Sequence, residues 1–273
     1  MELRSVVVAQ LDRHAPGMML AARYRLHVSC YGEIVYPSVT RPLFERLKSR
    51  TATAIDVGAN VGIFSMYLSK HFREVVAVEP IPRLARQLQR ALPLNCRALA
   101  LALGDNEGVV NMRVPIDLAG RAVPALATLS EHNRLELIPK RGVTVHAVQC
   151  QRIDTVAAAM NSLVFVKIDV EGFEGEVLRG ATQLLSQQRP VLQIEIGRAH
   201  NPRYEDVFYV MSELRFSTFA MLKHGVSANI QRYLIEQPMA VSEANSASPP
   251  GCWDFLFVPN EKVDELLAGL IVE

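Results

Sequence analysis

No two of the four cysteines, Cys30, Cys96, Cys150 and Cys252, form a CxxC pair, and all four lie far apart. That absence leaves no zinc-ligand spacing and no disulfide framework; buried free thiols in a reducing compartment are the simpler reading. The 29 lysines and arginines are balanced by 28 acids and never gather in a run. A formal net charge of +1 argues against a dedicated nucleic-acid binder, which shows a basic excess on one face. Nowhere do about 18 apolar residues follow one another, so no membrane span is expected. The opening "MELRSVVVAQLDRH" interrupts its short apolar run with Gln, Asp and Arg and carries no small-residue cleavage pattern. It is a poor secretory signal, and a cytoplasmic location is the expectation. Internal repeats are absent too.

What is present is an ordinary globular composition, 49% hydrophobic and 21% charged, with enough apolar content for a substantial core. Short apolar runs alternate with stretches of helical spacing. "TAIDV" (53–57), "EVVAVEP" (74–80, stopped by Pro80), "RALALAL" (97–103), "VTVHAVQC" (143–150), "LVFVKID" (163–169) and "PVLQIEI" (190–196) read as strands. Helices are expected from "NVGIFSMYLSKHF" and over 83–92, 154–160, 176–188 and 204–215, with a terminal one at 264–272. "FSTFAML" (216–222) and "WDFLFV" (253–258) close the series as strands too widely separated for a tight hairpin. "VVNMRV" reads as a β-excursion, and 115–142 as irregular, broken by Pro115, Pro124 and Pro139. The alternation predicts an α/β fold with a mostly parallel sheet and an antiparallel edge. Residues 1–50 form an N-terminal extension packed on the core, with a helix at 41–50. A single domain then covers 51–273, with loop insertions at 106–142 and 223–252.

The turn "AIDVGANVGIFSMYLSK" (54–70) sets Gly58 and Gly62 between a strand and a helix. In open α/β sheets ligands bind beyond the carboxyl ends of the strands, where glycine lets backbone come close. Glu79 closes the second strand, placed to accept two hydrogen bonds from a ribose diol. Two cofactor classes fit this much. A nicotinamide dinucleotide normally wants G-x-G-x-x-G, whereas this turn reads Gly58-Ala59-Asn60-Val61-Gly62. Asp56, just before it, is awkward beside a pyrophosphate and suits an ammonium or a sulfonium. S-adenosylmethionine carries both cations and no phosphate, so the acid tips the choice toward a methyl donor. Glycines in such turns also serve packing alone, and the motif by itself divides evenly between the two uses.

"FVKIDVEGFEGEVL" (165–178) adds Lys167, Asp169 and Glu171 at period two, on one side of extended backbone. Acids before a helix favour its dipole. That does not explain a lysine and an aspartate near the end of an apolar strand, where unpaired charge is expensive.

Five stretches, "AIDVGANVGIFSMYLSK", "VVAVEP", "ALGDNEG", "VKIDVEGFEGEVLRGA" and "WDFLFVP", occur in this order. Together they resemble the FkbM-type methyltransferases, S-adenosylmethionine-dependent O-methyltransferases, over roughly residues 50 to 258. The resemblance implies a Rossmann-like class I methyltransferase fold: a seven-stranded, mostly parallel sheet with an antiparallel last strand, flanked by helices. It implies that Asp56, Gly58, Ala59, Asn60 and Gly62 frame the methionine end of the cofactor. Glu79 and Pro80 would lie at the ribose, and Ala102, Leu103 and Asp105 near the adenine, although Asp105 equally suits the turn it sits in. Asp169 would end the fourth strand, where such enzymes present catalytic groups. The pattern also implies a histidine close behind "EI"; here the chain runs "EIGRAHNP", with His200 five residues past Glu195.

The expected reaction is methyl transfer to a hydroxyl of a sugar, glycan or natural-product-like acceptor. Asp169 is the first candidate base, with Lys167 to orient it or to stabilise a developing alkoxide. Glu171, Glu195 and His200 are second choices. Magnesium held by Asp169, Glu171 and Glu195 is chemically possible, but the spacing requires no metal. The rivals are an NAD-dependent oxidoreductase and a non-catalytic protein that retains the fold. Acceptor recognition is expected on the loops at 106–142, 197–204 and 223–252.

Overall fold

Strand β1 (Thr53–Val57) is buried along its whole length, which requires cover on both faces and a partner on both edges. A computed structural model describes residues 15, 17–21, 36–133, 135, 140–160, 162–198, 201–235 and 253–272. In it, β1 pairs in parallel with β2 (Glu74–Val78) on one side and β7 (Leu163–Ile168) on the other. β3 (Cys96–Leu99) extends the sheet beyond β2, and β8 (Val191–Glu195) extends it beyond β7. β11 (Asp254–Pro259) then inserts antiparallel between β8 and β9 (Phe216–Leu222). β10 (Gly225–Ser227) folds back on β9, so the sheet has eight strands where seven were expected. The antiparallel insertion of the last strand agrees with the expectation.

Apolar residues of each strand alternate between two cores. Ile55, Val57, Val76 and Ile168 face one side, under Leu178, Leu185, Val207 and Met211 of the helices α5 (Glu174–Arg179), α6 (Thr182–Gln187) and α7 (Tyr204–Glu213). Ala54, Phe165, Val191 and Leu256 face the other. There α1 (Pro37–Leu47), started by its proline, buries Val39, Leu43 and Phe44. The Phe44 ring lies 4.8 Å from that of Phe165 and 4.9 Å from that of Phe72. Residues 37–47 pack on this core; residues 1–14, 16, 22–35, 134, 136–139, 161, 199–200, 236–252 and 273 lie outside the described set.

Two expectations need correction. The run 97–103 is not one strand: β3 stays in the main sheet, while β4 (Ala102–Leu103) crosses to a second sheet and pairs with β6 (Lys140–Gln151). The stretch read as a loop insertion begins and ends in a β-ribbon. β5 (Gly108–Asp117) pairs antiparallel with β6 from Gly108–Cys150 to Asp117–Lys140. Its inner face, Met112, Val114, Val148 and Cys150, packs on Ala102 and Ala127. Pro115 pairs with Val143 inside the ribbon, whereas Pro124 opens a short 3-10 turn, Pro124–Leu126, in the irregular chain that joins its strands; Pro139 lies outside the described residues. No helix among the described residues is long and apolar enough to cross a membrane.

Candidate active site

Beyond the carboxyl end of β1 the chain turns sharply, with the Gly58 and Ala59 amides donating to the Val78 carbonyl at 2.9 and 3.0 Å. Gly58 (φ 83°), Asn60 (φ 48°) and Gly62 (φ 87°) all take left-handed backbone before α2 (Ile63–Leu68) begins. A Cβ on Gly58 would lie 1.8 Å from the Asp169 carbonyl oxygen, and one on Gly62 would lie 2.5 Å from Leu88 Cδ2. Both glycines therefore answer to protein packing first. Gly62 meets Leu88 of α3 (Pro82–Ala91) and lines neither cavity described below.

Two cavities of about 220 Å³ each flank this turn, and Gly58, Asn60 and Asp169 line both. Most residues lining the first have apolar side chains. Ala102, Leu103 and Phe173 form one part of its wall, and Met112, Ala127 and Leu129 of the ribbon region another. Pro80 and the buried carboxylate Glu79 complete the end toward β2, and Glu171, beyond β7, also lines the cavity. Glu79 Oε2 accepts the Asn60 amide and Oε1 the Ile81 amide, each at 2.8 Å. Each oxygen retains a further lone pair. Burial pushes this carboxyl up to about 7, against the pull of those two amides.

The second cavity is charged. Asp56, 2% exposed, accepts the Ser65 hydroxyl of α2 at 2.5 Å, and burial raises its carboxyl to about 6. Register places Asp56 beside Lys167, and Lys167 beside Gln193. The Lys167 ammonium, 4% exposed, stands 3.0 Å from Asp254 Oδ1, 3.8 Å from Glu195 Oε2 and 3.9 Å from Asp169 Oδ2. Burial works against that cation, yet Asp254, Asp169 and Glu195 outweigh it and raise its pKa above the ordinary lysine value. Asp169 and Glu195 are about a third exposed, and both line the cavity within 4 Å of the same ammonium. Asp169 is raised by burial, and Glu195 well above the usual range, first by the charge of Asp169.

Among the named candidates, Lys167, Asp169 and Glu195 converge, while Glu171 does not join them. Extended backbone ends at Ile168; Glu171 then takes φ 53°, and its carbonyl accepts Thr128 Oγ1 and Asn133 Nδ2, each at 2.7 Å. The residue lines the apolar cavity instead. Asp105 lines neither cavity, because Arg179 Nε holds its Oδ2 at 3.1 Å. His200 lies outside the described residues. A magnesium site is not supported. Among the described residues no group of three such ligands is arranged for a metal, and the position between Asp169, Glu195 and Asp254 is taken by an ammonium.

Asp254 and Gln193 are the residues the sequence reading missed. A lone acid inside "WDFLFVP" is the same signal that singled out Lys167: charge within an apolar strand. The wall contributed by Met112, Ala127 and Leu129 had no such signal, because it depends on how the ribbon folds back.

A mostly parallel sheet with an inserted antiparallel strand, and two cavities at its carboxyl edge, define an α/β protein of the methyltransferase architecture. Residues 56–219 match the family model "Methyltransferase FkbM domain". This chain belongs to that family. It is 29% identical over 161 residues to methyltransferase sdnD of Sordaria araneosa, a match spanning 47% of this chain and 60% of that protein. Among solved structures it is similar to the FkbM methyltransferase of Methylobacillus flagellatus KT (15% identity, 93% of this chain and 59% of that one, TM-score 0.44). A TehB-like S-adenosylmethionine-dependent methyltransferase of Corynebacterium glutamicum also resembles it (15% identity, 88% and 95% coverage, TM-score 0.37). Likeness at these scores carries no functional weight.

Proposed function

We propose that the protein is an S-adenosylmethionine-dependent O-methyltransferase acting on an uncharged hydroxyl acceptor such as a sugar, glycan or natural-product alcohol. One observation carries this reading: two neighbouring cavities share Gly58, Asn60 and Asp169 as lining residues, one lined mostly by apolar side chains around the buried Glu79 carboxylate, the other by Asp56, Asp169, Glu195 and Asp254 around one ammonium. That pairing suits a ligand with a nucleoside at one end and positive charge at the other. Glu79 would accept the ribose hydroxyls, with the base between Ala102, Leu103 and the ribbon residues. Asp56 and the turn Gly58–Asn60 would face the methionine portion.

When bound, S-adenosylmethionine supplies a methyl group on positively charged sulfur, which keeps the bonding electron pair as the new carbon–oxygen bond forms. The chain's tasks are to hold an acceptor oxygen in line and to receive its proton. Holding reactants in line is worth about 7–11 kcal/mol in well-oriented systems. Asp169, which borders both cavities, is the group placed to receive the proton, and Lys167 stabilises the oxygen as it loses it. An acceptor with carboxylate or phosphate beside its hydroxyl would meet Asp56, Asp169, Glu195 and Asp254 against one ammonium, so a neutral hydroxyl is favoured.

Calorimetric titration with S-adenosylhomocysteine and with NAD tests the cofactor: heat from the first and none from the second is expected, and the reverse would replace methyl transfer with hydride chemistry. For the base, Asp169→Asn should lower turnover about 10²–10⁴-fold while sparing S-adenosylhomocysteine affinity. Unchanged turnover removes Asp169 from the chemistry. Radiolabelled methyl transfer to a panel of glycans and small alcohols identifies the acceptor.

A further inference from the structure

We propose that Asp254 and Gln193 are positioning residues: they clamp the Lys167 ammonium beneath Asp169 and Glu195, so that these two carboxyls act as one proton-accepting unit. The proposal rests on the methyl-transfer reading and deepens it.

The register puts the participants on one face of the sheet. Lys167 on β7 is beside Gln193 on β8, and Glu195 on β8 is beside Asp254 on β11. Side chains two residues apart on β8 share a face, so Gln193 and Glu195 point the same way. Asp254 Oδ1 accepts Lys167 Nζ at 3.0 Å and Gln193 Nε2 at 2.7 Å, two donors on one oxygen. Its nearest grip on the ammonium is 0.8 Å shorter than that of Glu195 (3.8 Å) and 0.9 Å shorter than that of Asp169 (3.9 Å). The cation is thus anchored to β11 and leans on the pair only from beyond hydrogen-bond distance.

Gln193 supports the assignment independently. It is fully buried, and its Oε1 has no hydrogen-bond partner. Turning the amide over would aim that oxygen at the Asp254 carboxylate, so the bond to Asp254 fixes its orientation. An apolar side chain would fill the same space without an orphaned acceptor. What the glutamine adds is the hold on Asp254.

Charge completes the case. With Asp254 matched to Lys167 at 3.0 Å, one ammonium is left to face both Asp169 at 3.9 Å and Glu195 at 3.8 Å, and the charge of Asp169 raises Glu195, so the pair favours keeping one proton. Asp56 from β1, Glu79 from the end of β2 and Glu174 from α5 also feel the Asp169 charge, and all three are acids that favour keeping that proton. The pair then holds one proton and has room for one more. The acceptor's hydroxyl proton moves onto it as the methyl carbon–oxygen bond forms and the carbon–sulfur bond breaks, its electrons staying on sulfur. The site loses one positive charge on sulfur and gains one proton on the carboxyls.

Removing the clamp should send Lys167 toward the pair, ionise both carboxyls and weaken them as a base. In Asp254→Asn we expect the acid limb of the kcat–pH profile to move down by about one unit, with kcat about tenfold lower. Acceptor KM and S-adenosylhomocysteine affinity should stay within about twofold. Titration of ¹³C-labelled carboxyls in the cofactor-free protein should show the same downward move, a readout that needs no turnover. Gln193→Leu, an apolar exchange in a packed core, should act in the same direction to a smaller extent and carries the test if Asp254→Asn does not fold. Folded variants with unmoved titration and unmoved pH profile overturn the proposal. If the wild-type protein binds no S-adenosylhomocysteine and transfers no methyl group, the underlying reading falls instead, and this inference with it.

Discussion

On one side of the glycine turn the wall is Ala102, Leu103, Met112 and Ala127; on the other it is Asp56, Lys167, Glu195 and Asp254. The apolar side draws on two sheets, and a ligand there is held by contact area and by the buried carboxylate of Glu79. The charged side is built at the end of the main sheet, on the turn above it and on the first residues of α2, with its fixed charges set by strand register. The first is suited to binding and the second to chemistry. Their shared border, Gly58 and Asp169, means that neither can move without the other.

The comparison can be broken hardest from the charged side. Lys167→Met leaves Asp254 buried without its cation and should cost about 3–5 kcal/mol in denaturant unfolding, more than most single substitutions. A loss below about 1 kcal/mol would mean that the carboxylates do not depend on that ammonium. Gly58→Ala attacks the border. Positive φ and a Cβ set against the Asp169 carbonyl should together destabilise by about 2–4 kcal/mol and weaken S-adenosylhomocysteine binding. Unaltered binding in a folded Gly58→Ala protein would uncouple the two cavities.

Glu79 gives the smallest and sharpest test, on the apolar side. Its folded value, about 7, lies above the ordinary 4.5, so the folded chain holds an extra proton between those values. Stability from that proton is complete below about pH 4.5 and is lost as pH rises through about 7. Glu79→Gln should flatten the fall in unfolding free energy between about pH 5 and pH 8 by roughly 1–3 kcal/mol. Ribose hydroxyls donate to the ionised form, so wild-type affinity for S-adenosylhomocysteine should rise over the same range, and in the glutamine variant it should not.

Several features of the site were legible before any fold was known. Gly58 and Gly62 marked the turn, Glu79 the end of a strand, and Lys167 with Asp169 stood out as charges in an apolar run. The reason given for the glycines was incomplete, since Gly62 makes way for Leu88 and Gly58 for the Asp169 carbonyl. Glu171 was grouped with Lys167 by a period of two that holds only while backbone stays extended, and extension stops at Ile168. Asp254 went unassigned because its partner Lys167 is 87 residues away along the chain.

Local chemistry in the sequence determined the alternating strands and helices, the sharp turn after β1 and the presence of charge at strand ends. Spacing along a chain encodes periodicity and turn residues, and these are local properties. Tertiary structure alone decided that Met112, Ala127 and Leu129 join one wall of a cavity, that Lys167 fills the place considered for a metal, and that Asp254 holds it there. Those outcomes depend on strand order and register across the sheet, where residues far apart in sequence become neighbours and buried charges must find their partners.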